Sequence, residues 1–253
     1  MTAAASNAPS RPASGPRLSV RGLYKSFGAV PVVAGVDFDV RPGELLGILG
    51  PNGAGKTTLF NVLNGDLAAD SGEIRLDEVF LASQPAHVRC RMGMGRTYQV
   101  PRAYGGLTAF ENLLVAAMFG GRQSEAQACV RCRDLLLRCG LAAKANILAA
   151  HLPLLDRKRL ELARALASAP KLLLLDEVAG GLTDEEAKVL IALIADLKRD
   201  GMTILWIEHV LRAVLAVADR LLVLNFGQVI AQGVPGAVMN NPQVQRVYMG
   251  VEA

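Results

Sequence analysis

Residues 50–57 read Gly-Pro-Asn-Gly-Ala-Gly-Lys-Thr and match the pattern G-x-x-x-x-G-K-[ST]. They follow ELLGI, residues 44–48, which reads as a strand, and they precede TTLFNVLNG, residues 57–65, which has helical spacing. This strand, turn and helix order is the context that the pattern requires. Glycines let backbone N–H groups close around phosphate oxygens, and the helix N-terminus adds its positive end. The stretch therefore predicts a phosphate-binding loop at the centre of an α/β fold.

Individual residues of this loop have predicted roles. Lys56 is placed to reach the terminal phosphates of a nucleoside triphosphate, and the Thr57 hydroxyl is placed to bind Mg²⁺. The predicted nucleotide-binding residues here are Gly50, Pro51, Asn52, Gly53, Ala54, Gly55, Lys56, Thr57 and Thr58.

An acidic pair follows a run of leucines in KLLLLDE, residues 171–177, which predicts a fully buried strand. A nucleotide site needs an acidic magnesium partner at such a strand end. Asp176 is predicted to serve the Mg²⁺, and Glu177 to polarise a water in line with the γ-phosphate. The alternative reading is an ordinary polar strand end.

Two further polar residues are candidates for the same site. Gln99, in GRTYQVPR, lies between the strand-rich part and a helical segment, where it is placed to sense the γ-phosphate, Mg²⁺ or water. His209 ends TILWIEH, where its side chain is placed to touch the γ-phosphate. Alone, either residue is more often a hydrogen-bonded polar residue than a catalyst.

Hydrophobic patterning predicts the organisation of the chain. Strands are predicted in LSVRGL, GVDFDV, ELLGILG, GEIRL and EVFLA. Residues 102–168 have helical spacing, which predicts an inserted helical subdomain. After KLLLLDE, a helix with a Thr183–Glu186 capping box ends at Gly201, and TILWIEH forms the next parallel strand. RLLVLNFGQVIAQG predicts an antiparallel hairpin near the C-terminus.

Composition limits the functional classes. The first 36 residues contain Arg11, Arg17, Arg21 and Lys25 and no acid, so the remaining 23 basic residues equal the 23 acidic ones of the chain. A neutral body lacks the basic footprint of a protein that tracks nucleic acid. Residues 1–16, rich in Ala, Ser and Pro, predict a disordered tail. No apolar run approaches the roughly 18 residues of a bilayer span, which predicts a cytosolic chain.

Cys129, Cys132 and Cys139 have spacings that suit one helical face, and the first two form a CxxC pair. A zinc site needs a fourth ligand, and neither Cys90 nor a histidine has the usual spacing. Reduced cysteines packed in a helical core are therefore expected.

The order and spacing of these groups resemble the ATP-binding subunits of ABC transporters over about residues 17–250. The resemblance implies a P-loop NTPase fold with a RecA-like core and an antiparallel β subdomain in residues 17–101 and 169–253, and a helical subdomain in residues 102–168. It implies ATP and Mg²⁺ as ligands and Phe27 as the adenine-stacking aromatic. The implied catalytic residues are Lys56, Gln99, Glu177 and His209, and the implied metal-site residues are Thr57, Gln99 and Asp176.

A finer similarity is to the ATPases of branched-chain amino acid and related amide uptake systems. It rests on GRTYQVPRAYGGLTAFENLLVAA, VAGGLT, WIEHV and LNFGQVIAQGVPGAVMNNPQVQRVYMG. It implies a peripheral subunit on the cytoplasmic face of the inner membrane, bound to integral permease subunits and served indirectly by a periplasmic binding protein. ATP would drive closure onto a second ATP-binding subunit.

Residues 151–166, HLPLLDRKRLELARAL, lie where this family carries its LSGGQ signature followed by a helix. Leu152 matches the first position, but Pro153, Leu154, Leu155 and Asp156 replace Ser, Gly, Gly and Gln. In the family this loop binds the γ-phosphate held by the partner subunit. Pro153 has neither hydroxyl nor backbone N–H, and losing one such donor costs about 10²–10³ in rate. We therefore expect an asymmetric heterodimer whose other chain has an intact signature.

Two smaller departures and two rival functions remain open. Val178 and Thr183 stand where the family has Pro and Asp or Asn. One alternative is a regulatory subunit with weak or no hydrolysis. The other is a soluble ABC ATPase acting on nucleic acid or ribosomes.

Overall fold

The computed structural model describes residues 15–81 and 84–249, which form two β-sheets and a set of helices packed around them. The strands are β1 Leu18–Phe27, β2 Val30–Val40, β3 Leu45–Leu49, β4 Ser71–Leu76, β5 Val79–Phe80, β6 Met94–Arg96, β7 Leu172–Asp176, β8 Thr203–Ile207, β9 Arg220–Asn225 and β10 Gln228–Gly233. The helices are α1 Lys56–Asn64, α2 Ala86–Arg91, α3 Ala109–Val115, α4 Glu125–Arg138, α5 Leu154–Ala167, α6 Asp184–Arg199, α7 Leu211–Leu215, α8 Pro235–Met239 and α9 Pro242–Met249.

The larger sheet has the strand order β10-β9-β3-β8-β7-β6. Its pairs β9–β3, β3–β8, β8–β7 and β7–β6 are parallel, whereas β9 and β10 form the predicted antiparallel hairpin. Every residue of β3, β7 and β8 is buried, as expected for strands covered on both faces. Because parallel strands share one carboxyl edge, the segments that follow β3, β7 and β8 meet there.

The smaller sheet is antiparallel, with the order β2-β1-β4-β5. The predicted basic N-terminal segment belongs to it, because Arg17, Arg21 and Lys25 form ion pairs with Asp77, Asp39 and Asp70 respectively. These basic residues therefore have structural partners in the smaller sheet and at the ends of its strands. The predicted disordered tail lies outside the described residues, except for its last two positions.

The strand–helix–strand unit of β7, α6 and β8 confirms the prediction from the leucine run and the capping box. Thr183 caps α6, since its side chain accepts a hydrogen bond from the Glu186 N–H and the Glu186 side chain accepts one from the Thr183 N–H. Gly201, with φ 86°, follows the end of the helix. The predicted N-terminal strands are also present, although β1 and β2 are longer than expected and β5 has only two residues.

Helices dominate the chain between α3 and α5. A π-helical turn, Ala116–Gly120, follows α3, and short 3₁₀ turns occupy Ala142–Lys144 and Ala149–His151. The division of the chain at residues 102 and 168 stays a prediction. No helix in the described part of the chain is long and apolar enough to cross a bilayer.

The cysteines are free thiols. Cys132 on α4 and Cys139 directly after it are buried in the core between the helices and the larger sheet, whereas Cys129 is half-buried. Burial raises the pKa of Cys132 to about 11 and that of Cys139 to about 12, which keeps both thiols protonated. Both therefore pack as small apolar side chains.

Candidate nucleotide-binding site

The phosphate-binding loop joins the carboxyl end of β3 to the N-terminus of α1, as predicted. Gly55 precedes the helix with φ 96°, and a Cβ atom there would lie 2.2 Å from the Val32 carbonyl oxygen. Gly53, with φ 81°, is also in the left-handed region that side chains disfavour. The turn brings the first N–H groups of α1, which have no intrahelical partners, to the loop. This is an arrangement suited to anions.

Lys56 is the cation of the loop. It is buried, and its Nζ donates hydrogen bonds to the carbonyl oxygens of Gly50 at 2.8 Å and Pro51 at 2.9 Å. Burial lowers the pKa of the amine, and the negative charges of Glu177 and Asp176 oppose that shift. The loop thus holds a positive charge close to two carboxylates, where a polyphosphate and a divalent cation would complement both signs.

A cavity of about 190 Å³ lies over the loop. It is lined by Val32, Asn52, Gly53, Ala54, Gly55, Lys56, Thr57, Thr58, Glu177 and His209. The structure therefore brings together seven predicted nucleotide-binding residues and three of the four predicted catalytic residues, with Lys56 belonging to both sets. Gly50 and Pro51 do not line the cavity and instead supply the carbonyl groups that hold Lys56.

Glu177 is held by the other two polar candidates. Gln99 Nε2 donates a hydrogen bond to Glu177 Oε2 at 2.6 Å, and His209 Nε2 lies 2.6 Å from Glu177 Oε1. The backbone of Glu177 has φ 45°, which is unusual for a residue with a side chain. Its N–H donates to the Ile207 carbonyl oxygen at 2.9 Å. Three residues far apart in the sequence thus form one cluster at the cavity.

Asp176 ends β7 beside this cluster. Its Oδ2 accepts a hydrogen bond from Arg96 Nη2 at 3.0 Å, whereas none of the described residues hydrogen-bonds to its buried Oδ1. Burial raises the pKa of this carboxyl group, and Arg96 opposes the shift. Asp176 Oδ1 is a buried carboxylate oxygen without a donor, and Thr57 supplies an exposed hydroxyl at the cavity. Both are oxygen ligands of the kind that Mg²⁺ prefers.

Phe27 lies outside the cavity. It ends β1 and pairs with Val30 at the start of β2, the strand that contributes Val32 to the cavity lining. About half of the Phe27 side chain is exposed, and the Lys25 amine lies 5.8 Å from its ring centroid. The ring therefore offers an accessible face on the hairpin that borders the loop.

The altered signature segment begins α5. Pro153 is exposed and takes the N-cap position, so the helix starts at Leu154 and includes the three altered positions that follow. Asp156 points inward, is buried, and forms ion pairs with Lys144 and Arg159. The segment thus presents Pro153 to solvent, with neither a hydroxyl nor an N–H group.

Several site residues were not predicted from the sequence. Arg96 contacts Asp176, and Lys158 on α5 donates to the carbonyl oxygens of Gln99 and Glu177. Glu208, next to His209, is buried and accepts hydrogen bonds from the Trp206 Nε1–H and the Ala179 N–H. In the sequence, Arg96, Glu208 and Lys158 appear only as charged residues within GRTYQ, WIEH and the basic helix. The neighbouring residues do not indicate which groups these three side chains contact.

Comparison with known proteins gives concordant matches. The ABC transporter family matches residues 33–180, and a family described as branched-chain amino acid ATP-binding cassette transporter matches residues 228–253. The LivG protein of Escherichia coli K12, a high-affinity branched-chain amino acid transport ATP-binding protein, is 40% identical over 94% of this chain and 99% of LivG. BraF of Pseudomonas aeruginosa, with the same description, is 38% identical over the same shares. LptB of Haemophilus influenzae, from a lipopolysaccharide export system, is 34% identical over 92% and 97%.

Solved structures agree with these matches. A nucleotide-free ATP-binding cassette from an ABC transporter superposes with a TM-score of 0.85 at 29% identity, over 94% of this chain and 100% of that one. A cassette in its ADP conformation superposes with a TM-score of 0.86 at 30% identity over the same shares. The predicted P-loop NTPase fold of the ABC type is confirmed.

Proposed function

The chain belongs to the ABC transporter family as an ATP-binding, ATP-hydrolysing subunit, and we propose that it powers uptake of branched-chain amino acids or related amides. LivG and BraF are described as branched-chain amino acid transport proteins, and the C-terminal match at residues 228–253 carries the same description. The similarity to LptB is lower and that protein serves export. The C-terminal match is therefore the observation that favours branched-chain amino acids as the transported compounds.

In this proposal the triphosphate of ATP lies on the loop of residues 50–58. The N–H groups at the α1 N-terminus and the Lys56 amine bind its phosphates, and the exposed ring of Phe27 stacks on adenine. Thr57, Asp176 and Gln99 would hold Mg²⁺, which supplies positive charge to the β- and γ-phosphates. The fit rests on the unpartnered Asp176 Oδ1 and on the Thr57 hydroxyl in the cavity.

Glu177 is the proposed general base. A water attacks the γ-phosphorus, the bond between γ-phosphorus and bridging oxygen breaks, and the proton of the water passes to Glu177, so that ADP and phosphate leave. Gln99 and His209 fix the two carboxylate oxygens at 2.6 Å, which orients the base toward the cavity. The Glu177–Gln99–His209 cluster is the observation that supports hydrolysis.

The proposed assembly is a heterodimer of ATP-binding subunits docked on integral permease subunits at the cytoplasmic face of the inner membrane, with the periplasmic binding protein acting indirectly. ATP would close this chain onto a different chain with an intact signature. The exposed Pro153 and the inward Asp156 support impaired hydrolysis at the site that this loop completes. The proposed mobile unit is the helical subdomain of residues 102–168.

A second candidate is a regulatory subunit that binds nucleotide without turning it over. The altered loop at residues 153–156 favours it. The intact cluster of Glu177, Gln99 and His209 favours hydrolysis at this chain's own site instead.

The decisive variant is Glu177→Gln in the complex purified with its permease and partner subunits. Turnover should fall by about 10²–10⁴ because the amide cannot accept the proton, whereas nucleotide binding should persist. Glu185→Gln, an exposed position on α6, is the matched control. Unchanged turnover in Glu177→Gln would show that another group is the base.

Transport is tested separately. The complex, reconstituted in vesicles with the binding protein, should accumulate labelled leucine, isoleucine or valine, or a short amide, when ATP is supplied on the side of this subunit. ATP turnover without accumulation of any of these compounds would overturn the uptake assignment and leave the ATPase assignment intact.

A further inference from the structure

Lys158 is a buried lysine in the first half of α5. Its side chain extends to the nucleotide site, where Nζ donates a hydrogen bond to the carbonyl oxygen of Gln99 at 3.1 Å and to that of Glu177 at 3.2 Å. One amine thus joins the backbones of the two residues whose side chains are themselves hydrogen-bonded. These two hydrogen bonds of Lys158 are to main-chain oxygens, whereas Glu177 lines the cavity.

The same face of α5 also contacts the segment that follows Gln99. Glu161, one turn beyond Lys158, accepts a hydrogen bond from the Arg102 N–H at 3.2 Å. Arg164, a further turn along, pairs with Glu161 at 2.8 Å and lies 5.1 Å from the Tyr104 ring centroid. Residues at positions i, i+3 and i+6 of one helix therefore attach to residues 99–104 in order.

Electrostatics indicate that the amine of Lys158 has a role beyond packing. The buried amine lies among the negative charges of Glu208, Glu177, Asp176 and Glu161, which act on it electrostatically. Burying an ammonium group carries a large desolvation cost that an apolar side chain of similar length avoids. We therefore attribute the presence of an amine at this position to its hydrogen bonds, which hold the backbones of Gln99 and Glu177 in place.

The helix also links two functional regions. α5 starts directly after Pro153, so a displacement of residues 152–156 moves a continuous helix whose second turn carries Lys158. A regular helix is stiff over one turn because its backbone is hydrogen-bonded throughout. Movement of the loop therefore reaches the Gln99 and Glu177 backbones through the Lys158 amine.

We propose that Lys158 is a positioning residue that couples the altered signature loop, residues 152–156, to the Glu177–Gln99 pair. This coupling rests on the proposed function, in which the loop faces the nucleotide of the partner subunit. It makes the rate of ATP hydrolysis at this chain's own site depend on whether the partner's site holds nucleotide. Lys158 itself does not line the cavity over the phosphate-binding loop.

The first experiment compares Lys158→Met, Lys158→Arg and Lys188→Met in the full complex. In Lys158→Met, kcat should fall by about 10-fold or more, as expected for a displaced catalytic pair, with the KM for ATP within about 2-fold because the loop is intact. Lys158→Arg keeps the donors and should recover most of kcat. Lys188 is exposed on α6 and its substitution should change neither constant.

Urea unfolding separates positioning from simple destabilisation. Lys158→Met should remain folded in the absence of urea, although its unfolding midpoint should fall because two buried carbonyl oxygens lose their hydrogen-bond donor. A fall in kcat no larger than the unfolded fraction of the complex, or a loss that appears in KM alone, would overturn the proposal.

The second experiment tests coupling with a double-mutant cycle in a complex whose partner subunit is catalytically inactive, so that only this chain's site turns over. Replacing residues 153–155 by Ser-Gly-Gly should change kcat by at least about 3-fold with Lys158 present and by less in the Lys158→Met background. Equal effects in both backgrounds, or no effect in either, would refute the coupling. Glu177→Gln tests the proposed function independently, so failure of one proposal is distinguishable from failure of the other.

Discussion

Arg96 Nη2 lies 3.0 Å from Asp176 Oδ2, with both side chains buried. The same guanidinium reaches Asp66 Oδ2 through Nη1 at 3.0 Å, and its Cζ lies 4.7 Å from the Tyr98 ring centroid. Arg96 is therefore the cation that is directly hydrogen-bonded to the proposed magnesium-binding carboxylate.

Removing this cation should destabilise the fold. Arg96→Met leaves Asp176 buried and unpaired, so the free energy of unfolding should fall by about 3–5 kcal/mol, measured by urea titration at neutral pH. Arg199→Met, at an exposed helix position, is the control. Saturating Mg²⁺ with ATP should stabilise Arg96→Met more than the natural chain, because Mg²⁺ restores the missing charge. A loss below about 1 kcal/mol would contradict this role.

Glu208 should make stability depend on pH. Burial raises its pKa above the ordinary 4.5, so its contribution to stability is present below pH 4.5 and is lost as pH rises through the folded-state value. Glu208→Gln lacks this ionisation and retains an oxygen that can accept from Trp206 and Ala179. The free energy of unfolding of the variant, minus that of the natural chain, should therefore increase from pH 4.5 to pH 8. A constant difference would show that Glu208 has no such shift.

Restoring the signature should not reduce turnover. Pro153→Ser with Leu154→Gly and Leu155→Gly adds a hydroxyl and an N–H group at a position that is now exposed. ATP turnover of the complete complex should equal or exceed that of the natural one, although two glycines in the first turn of α5 should each cost about 1 kcal/mol of stability. Pro153→Ser alone separates these effects. Lower turnover in a folded complex would contradict the assignment of this loop.

Local patterns account for the parts of the site that the sequence predicts. The loop of residues 50–57, the buried strand before Asp176 and the capping box at Thr183 each depend on neighbours within a few positions. Gln99 is a candidate because it lies between the strand-rich part and the helical segment, and His209 is a candidate because it ends the apolar stretch TILWIEH. The family resemblance supplied their joint role, and the structure shows them on the two oxygens of Glu177.

Contacts between distant residues account for what the sequence does not predict. Arg96 and Asp176 are 80 positions apart, and Lys158 and Gln99 are 59 apart. A basic residue in an amphipathic helix usually faces solvent, so Lys158 gave no local sign of its burial. The short strand β6 and the helices α2, α7, α8 and α9 are too brief for a periodic pattern to reveal.

The position of β3 between β8 and β9 has a consequence for biosynthesis. The strand that carries the phosphate-binding loop is synthesised long before both of its hydrogen-bonding neighbours, Thr203–Ile207 and Arg220–Asn225. The Ala54 carbonyl oxygen likewise accepts its hydrogen bond from the Gly227 N–H, which is synthesised much later. Such long-range pairing is slow to nucleate. A nascent chain that stops short of residue 227 should therefore lack a formed ATP site, although it already contains every residue of the loop.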